Sequence, residues 1–447
     1  MSFCLLARVT CIAAALAGGG CGEEQRTDPA PDLDDHARDY VVLELAMGSH
    51  DVNHVDAYYG PEELRQIAQD SALTLTEIAK EAGALAERVA RWPGNRSNRM
   101  ELRRIDGLQQ RLRALSARVA INQGQTFSFD EESELLFGVK APDYDATHFE
   151  EILQSIDAIL PGDGSLSARV NAFQNRFVIP PDKLAAVFDA AIAECRRRTL
   201  ERINLPEDES FSLEYVTDKP WSGYNWYQGH SQSLIQINTD LPIFISRAVD
   251  LGCHEGYPGH HTFNVLLEEN LVEREGWVEF ALYPLFSPQS LIAEGSANYG
   301  VKLAFPDNER VEFEKLELFP LAGLDPAEAD RYYALQELLE RLSYAGNEAA
   351  RDYLNGNIDR EQAARWLEEY ALASPERARQ RVDFFDTYRS YVINYNLGQD
   401  IVREYVERGI GPEGEPGALE EWHWKRFTQM LSSPTLPSDL AEKTDAG

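Results

Sequence analysis

The stretch Leu251 to His261, L-G-C-H-E-G-Y-P-G-H-H, constrains this chain more than any other. Three of the nine histidines and an adjacent glutamate (His254, Glu255, His260, His261) fall inside it. A His-Glu pair on a helix, followed a turn or two later by another His, is the arrangement of a helical zinc site, in which imidazoles bind the ion and the glutamate activates water. The common spacing H-E-x-x-H is not met, because the fourth residue after His254 is Pro258. Proline has no N–H for the carbonyl of His254 and its ring crowds that carbonyl, while Gly259 adds further freedom. The helix is therefore predicted to break inside the motif. In an unbroken helix His261 would sit about 20° from His254 and His260 about 120° from it. A bulge at Pro258-Gly259 absorbs the two extra residues and brings His260 in as second ligand, leaving His261 to support the site or touch substrate. His260 is the favoured ligand and His261 the alternative.

Tetrahedral catalytic zinc normally takes three protein ligands and leaves one position to water. Glu294, in the helical stretch I-A-E-G-S-A-N-Y-G, is the expected third, since a carboxylate on the next long helix can face the first pair across a helix contact. Gly295 directly after it marks close backbone approach, because glycine inside a helix costs about 1 kcal/mol without such a reason. Asn298 lies one turn later on the same face and is placed to accept a hydrogen bond from a ligating imidazole. Glu255, just off the ligand axis, is the expected general base.

The surroundings read as mostly α, with a small β-sheet beside the active-site helix. Residues 98–119 space Leu102, Ile105, Leu108, Leu112 and Leu115 along one apolar face. Residues 232–238 alternate as a short strand with Ile235 and Ile237 inward, and the aromatic stretch 221–230 reads as a loop. Asp240 reads as the N-cap of a helix running from Leu241 into the histidines, and Ser287-Pro288 starts the helix that carries Glu294. Residues 1–20 form an export signal too short to span a membrane. Its end fits either A-x-A cleavage after Ala17 or, as favoured here, a lipobox with Cys21 lipidated, so that the membrane is reached only through that lipid. Residues 21–35 are a flexible tether, 36–204 an N-terminal helical region, and 205–447 the zinc-binding region with C-terminal helices, the last two packed as one unit. With Cys4 and Cys11 in the signal, only Cys195 and Cys253 remain, and Cys253 is expected as a buried free thiol. The formal charge of −33 repels phosphates, so nucleic acid is excluded as a main partner.

H-E-G-Y-P-G-H-H followed by E-G-S-A-N-Y resembles the H-E-A-x-P-G-H-H and E-G-W-A-x-Y motifs of the bacterial family known as domain of unknown function 885. The resemblance includes V-D-A-Y-Y-G-P at Val55 to Pro61 and extends over most of the mature chain. It implies a zincin-like metallopeptidase architecture, and Ser296 departs from the family's tryptophan. The family's Y-x-x-G matches Tyr395 to Gly398, which makes the Tyr395 hydroxyl a candidate donor to a developing oxyanion, with Tyr391 and His230 as competitors. Arg389 is a weaker candidate for a substrate carboxylate. The expected activity is zinc-dependent hydrolysis of a peptide or small amide, most simply by a metallopeptidase. A zinc amidase or esterase and a non-catalytic metal-binding envelope lipoprotein are the alternatives.

Overall fold

A computed structural model describes residues 32–94, 98–409 and 417–441. The export signal, Cys21 and the first part of the tether lie outside the described residues. Helix α1 (Leu33–Gly48) begins within the stretch read as tether and packs against α2 (Leu75–Ala90) and α3 (Arg99–Asn122). A reciprocal Thr74–Glu77 pair starts α2 and Asn98 caps α3. Ile105, Leu108, Leu112 and Leu115 are buried along one face of α3, as their spacing predicts. Between α1 and α2 the helical reading fails at β1 (Val55–Tyr58), which pairs antiparallel with residues 282–284. The register shifts between Val55 and Ala57, so Asp56 is the bulged residue of that pair.

Helix α4 (Leu184–Leu200) leads into a three-stranded sheet of β2 (Ser210–Val216), β3 (Gly223–Gly229) and β4 (Gln232–Asn238), in spatial order β2-β4-β3. The stretch read as an aromatic loop is thus largely a strand, because Tyr224, Trp226 and their neighbours suit a pleated surface when a hairpin partner follows. Asn238 at the end of β4 is buried, and its amide donates to the carbonyls of Lys219 and Trp221. Asp240 caps no helix. Its carboxylate accepts the backbone N–H groups of Asp218 and Lys219 at the end of β2, and α5 (Ser246–Glu255) starts only at Ser246.

Cys253 in α5 is not a free thiol. It is disulfide-bonded to Cys195 in α4, with Cα atoms 5.5 Å apart, because the two helices pack side by side and both residues face the contact.

Helix α6 (His260–Leu267) and β5 (Leu282–Pro284), the partner of β1, lead to α7 (Pro288–Ala304). Only Asn298 and Lys302 of α7 escape burial, which makes it the central helix of the fold. Helix α10 (Ile393–Glu407) lies along α7, and α8 (Ala345–Leu354) packs on α9 (Pro375–Tyr388). The protein is mostly α with a small β-sheet beside α5. Among the described residues no helix is long and apolar enough to cross a membrane.

Candidate metal centre

Helix α5 ends at Glu255, the chain passes through a cis Tyr257–Pro258 peptide, and α6 begins at His260. The break expected at Pro258-Gly259 is present. A Cβ on Gly259 would lie 1.8 Å from the carbonyl oxygen of His254, so only glycine lets the chain double back this tightly. The turn sets the Nε2 atoms of His254 and His260 3.1 Å apart. Glu294 on α7 brings its Oε2 to 3.2 Å from Nε2 of His254 and 3.6 Å from Nε2 of His260.

Proton positions follow from the neighbours. Nδ1 of His254 donates to Oδ1 of Asn298 at 2.9 Å, and the Asn298 amide in turn donates to the carbonyl of Tyr395. With its proton on Nδ1, a neutral His254 presents a lone pair at Nε2. Glu294 therefore receives no proton from it, and its Oε2 is buried without a hydrogen-bond partner. Acceptors crowded together out of water are costly unless a cation lies among them. The separations of 3.1, 3.2 and 3.6 Å bracket the roughly 3.3 Å expected between donors of a tetrahedral zinc site. These residues fit zinc.

Ligand-capable atoms of His254, Glu255 and His260 also lie within 4.8 Å of one another, so Glu255 competes with Glu294 on distance alone. Two observations favour Glu294. Its second oxygen, Oε1, accepts the Tyr391 hydroxyl at 2.7 Å, which aims Oε2 at the histidines. Glu255 instead lies over β3, where a Cβ on Gly223 would come within 2.7 Å of its Oε1, and Asn225 holds its backbone carbonyl. Their electrostatics differ as well. Burial raises the Glu255 carboxyl above its ordinary range against the pull of His254 and His260. Burial acts likewise on Glu294, but when the rings of His260 and His254 carry the proton that a metal would replace, their charge and hydrogen bonds outweigh it and hold that carboxyl well below its ordinary range. Glu255 is the better proton acceptor of the two.

His261 turns away from the cluster. It is fully buried, with Nδ1 2.9 Å from Ser233 Oγ and Nε2 3.0 Å from Glu209 Oε2. Ser, His and Glu in that order resemble a nucleophile relay, yet all three are buried and none lines the cleft, so they fasten α6 to the sheet. His230 is also placed elsewhere. It and Ser231 occupy the tight β3–β4 turn at φ of 53° and 56°, and its exposed side chain lies outside the cleft lining. Arg389 is ion-paired with Glu132, which leaves it no substrate role. Ser296 is buried on α7 and bonded to the Ala293 carbonyl. Tyr395 lines the cleft with its ring stacked 6.5 Å from that of His254, and its hydroxyl has no protein partner among the described residues.

The glycine after Glu294 has its explanation in α10. A Cβ on Gly295 would lie 2.3 Å from the carbonyl oxygen of Gly398, and one on Gly398 would lie 2.7 Å from that of Leu291. The E-G and Y-x-x-G motifs are thus two sides of one helix crossing, which sets Glu294 and Asn298 beside the turn that carries Tyr395. Gly295→Ala should destabilise the fold by about 1–3 kcal/mol, since backbone cannot yield as a side chain can. Denaturant unfolding checks this, and an unchanged midpoint would refute it.

One residue escaped sequence reasoning. Asp56, bulged out of β1, lines the cleft, and its Oδ1 is enclosed without a partner. Burial, then the Glu294 and Glu255 carboxylates, push its carboxyl well above the ordinary range. Its only sequence signal was its place in V-D-A-Y-Y-G-P. The cleft it shares with the cluster has a volume of about 1740 Å³, room for several residues of a peptide.

No family model matches the chain, and no curated protein matches it, so the motif resemblance stands on the residues quoted above. Solved structures similar to the chain include the following three. One described as a lipoprotein from Colwellia psychrerythraea aligns with a TM-score of 0.50 at 16% identity, over 82% of this chain and 68% of that one. Another described as a lipoprotein, of Shewanella oneidensis, aligns with a TM-score of 0.44 at 12% identity, over 91% and 80% of the two chains. An M32 carboxypeptidase from Deinococcus radiodurans R1 aligns with a TM-score of 0.45 at 11% identity, over 91% and 93%. The likeness to the Colwellia protein is one of fold.

Proposed function

We propose that the chain is a zinc-dependent hydrolase cleaving peptide bonds, with zinc held by His254, His260 and Glu294. The observation that carries this reading is the convergence of three ligand-capable atoms within 3.6 Å, one of them a buried carboxylate oxygen without a partner. Zinc bound there supplies Lewis acidity toward a water molecule and the scissile carbonyl. Glu255 takes the proton from the attacking water and returns it to the leaving amine. The free hydroxyl of Tyr395 donates to the oxyanion, while Asn298 keeps His254 in the tautomer that leaves Nε2 unprotonated. Tyr391 positions Glu294 rather than touching substrate.

The protein acts outside the cytoplasm, exported by residues 1–20 and held to the membrane by lipid on Cys21. The Cys195–Cys253 bridge supports that placement, because such bonds persist in oxidising compartments. Metal analysis of the purified protein should return one zinc per chain. A peptide library should be cut by the holoenzyme, spared after chelation and cut again once zinc is restored. Zinc-free protein with full activity would overturn the reading, and turnover of an ester panel with peptides left intact would replace peptidase by esterase.

A further inference from the structure

The cleft runs from the metal centre along α9, which lines it with Arg377, Arg381, Phe384 and Tyr388 at helical spacing. Phe384 marks the inner end, since its ring lies 6.2 Å from that of Tyr395. Arg381 follows one turn outward and Arg377 one turn beyond, rises of about 4.5 and 6 Å along the helix. Both arginines line the cleft.

Their surroundings are unusual for a chain with 75 acidic and 42 basic residues. Several other cations on the cleft wall are matched: Arg310 with Asp250 and Glu314, Lys302 with Glu340, Lys315 with Asp330. Arg377 reaches only the carbonyl of Pro242 and the face of Phe244. Arg381 has no carboxylate, carbonyl or ring partner among the described residues, and burial alone lowers its pKa. Its guanidinium rests instead on Gly346 of α8, where a Cβ would meet Nη2 at 2.1 Å. None of its nitrogens is a sealed, unsatisfied atom, so they open to the cleft. A half-buried guanidinium resting against the bare Cα of Gly346 and without a counter-ion offers an anion site.

Resting on the peptidase reading above, we propose that Arg381, assisted by Arg377, binds the free terminal carboxylate of the substrate, so that the enzyme acts on short peptides a few residues from their carboxyl end. The planar fork of arginine matches a carboxylate in two parallel hydrogen bonds, and the rise along α9 from Phe384 to Arg381 and Arg377 equals about one to three extended residues.

The test uses two sets of N-acetylated tri- to pentapeptides, identical except that one ends in a free acid and the other in an amide. The zinc-loaded wild type should cleave the acids with kcat/KM roughly 10–100-fold above the amides, the range of a charge-assisted pair. Arg381→Met should slow the acids at least roughly tenfold more than it slows the amides. Arg381→Lys should restore part of the difference, and Gly346→Ala, which displaces the guanidinium without removing it, should lose most of it. Equal cleavage of acids and amides by the wild type, or an equal slowing of both by Arg381→Met, would overturn the proposal. Calorimetric binding of the same peptides separates the two readings. Acid-selective binding that Arg381→Met abolishes supports the carboxylate site even if no peptide is cut, in which case the peptidase reading alone fails. Absence of acid-selective binding sinks the site itself.

Discussion

Glu255→Gln is expected to lower kcat on peptides by roughly 10²–10⁴-fold while the purified variant retains one zinc per chain. The amide keeps the shape and burial of the side chain over Gly223 but can no longer accept a proton, so the loss should fall on kcat more than on KM. Measuring zinc and turnover on the same sample decides between the two carboxylates at the centre. If Glu255 were the third ligand in place of Glu294, the variant would lose metal as well as activity. Activity within a fewfold of the wild type would remove Glu255 from the chemistry altogether. Glu294→Gln should show the opposite pattern, with zinc lost first, because the Oε2 that faces both histidines is the atom with no other partner.

The second large effect concerns the bridge between α4 and α5. Replacing Cys195 and Cys253 together by Ser releases a loop with a sequence separation of 58 residues. Loop-closure entropy puts the loss near ~4 kcal/mol, before any change in native packing. The consequence reaches the site directly, since Cys253 immediately precedes His254 on α5. Chemical unfolding of the oxidised protein, the dithiothreitol-reduced protein and the double variant should give one high and two low midpoints. Matching midpoints, with thiol titration showing the reduction complete, would refute the estimate.

Much of this arrangement was legible in the sequence wherever a local rule acts alone. Pro258 and Gly259 forbid a continuous helix whatever surrounds them, so the break between His254 and His260 could be read directly. Ile235 and Ile237 announced β4 by alternation, and the start of α7 at Pro288 followed from its turn chemistry. Where tertiary partners decide, the reading failed. Asp240 has the chemistry of a cap, but the N–H groups it serves belong to the end of β2. The aromatic run before β4 became a strand because a hairpin partner followed it, and the Cys195–Cys253 pairing depended on which faces of two helices meet. Asp56 could not be read as a cleft residue, since its orientation comes from a bulge against a strand more than two hundred residues away. At the metal centre, residue types and spacing brought His254, His260, Glu294 and Asn298 into consideration, whereas the turning away of His261 rests on Ser233 and Glu209, both remote in sequence.

The glycine contact between α7 and α10 also bears on how this protein can move. With backbone against backbone at Gly295 and Gly398, no side chain lies between the helices to act as a bearing, and neither can slide or roll without striking the other. Glu294, Asn298 and the turn bearing Tyr395 must then travel as a single rigid jaw.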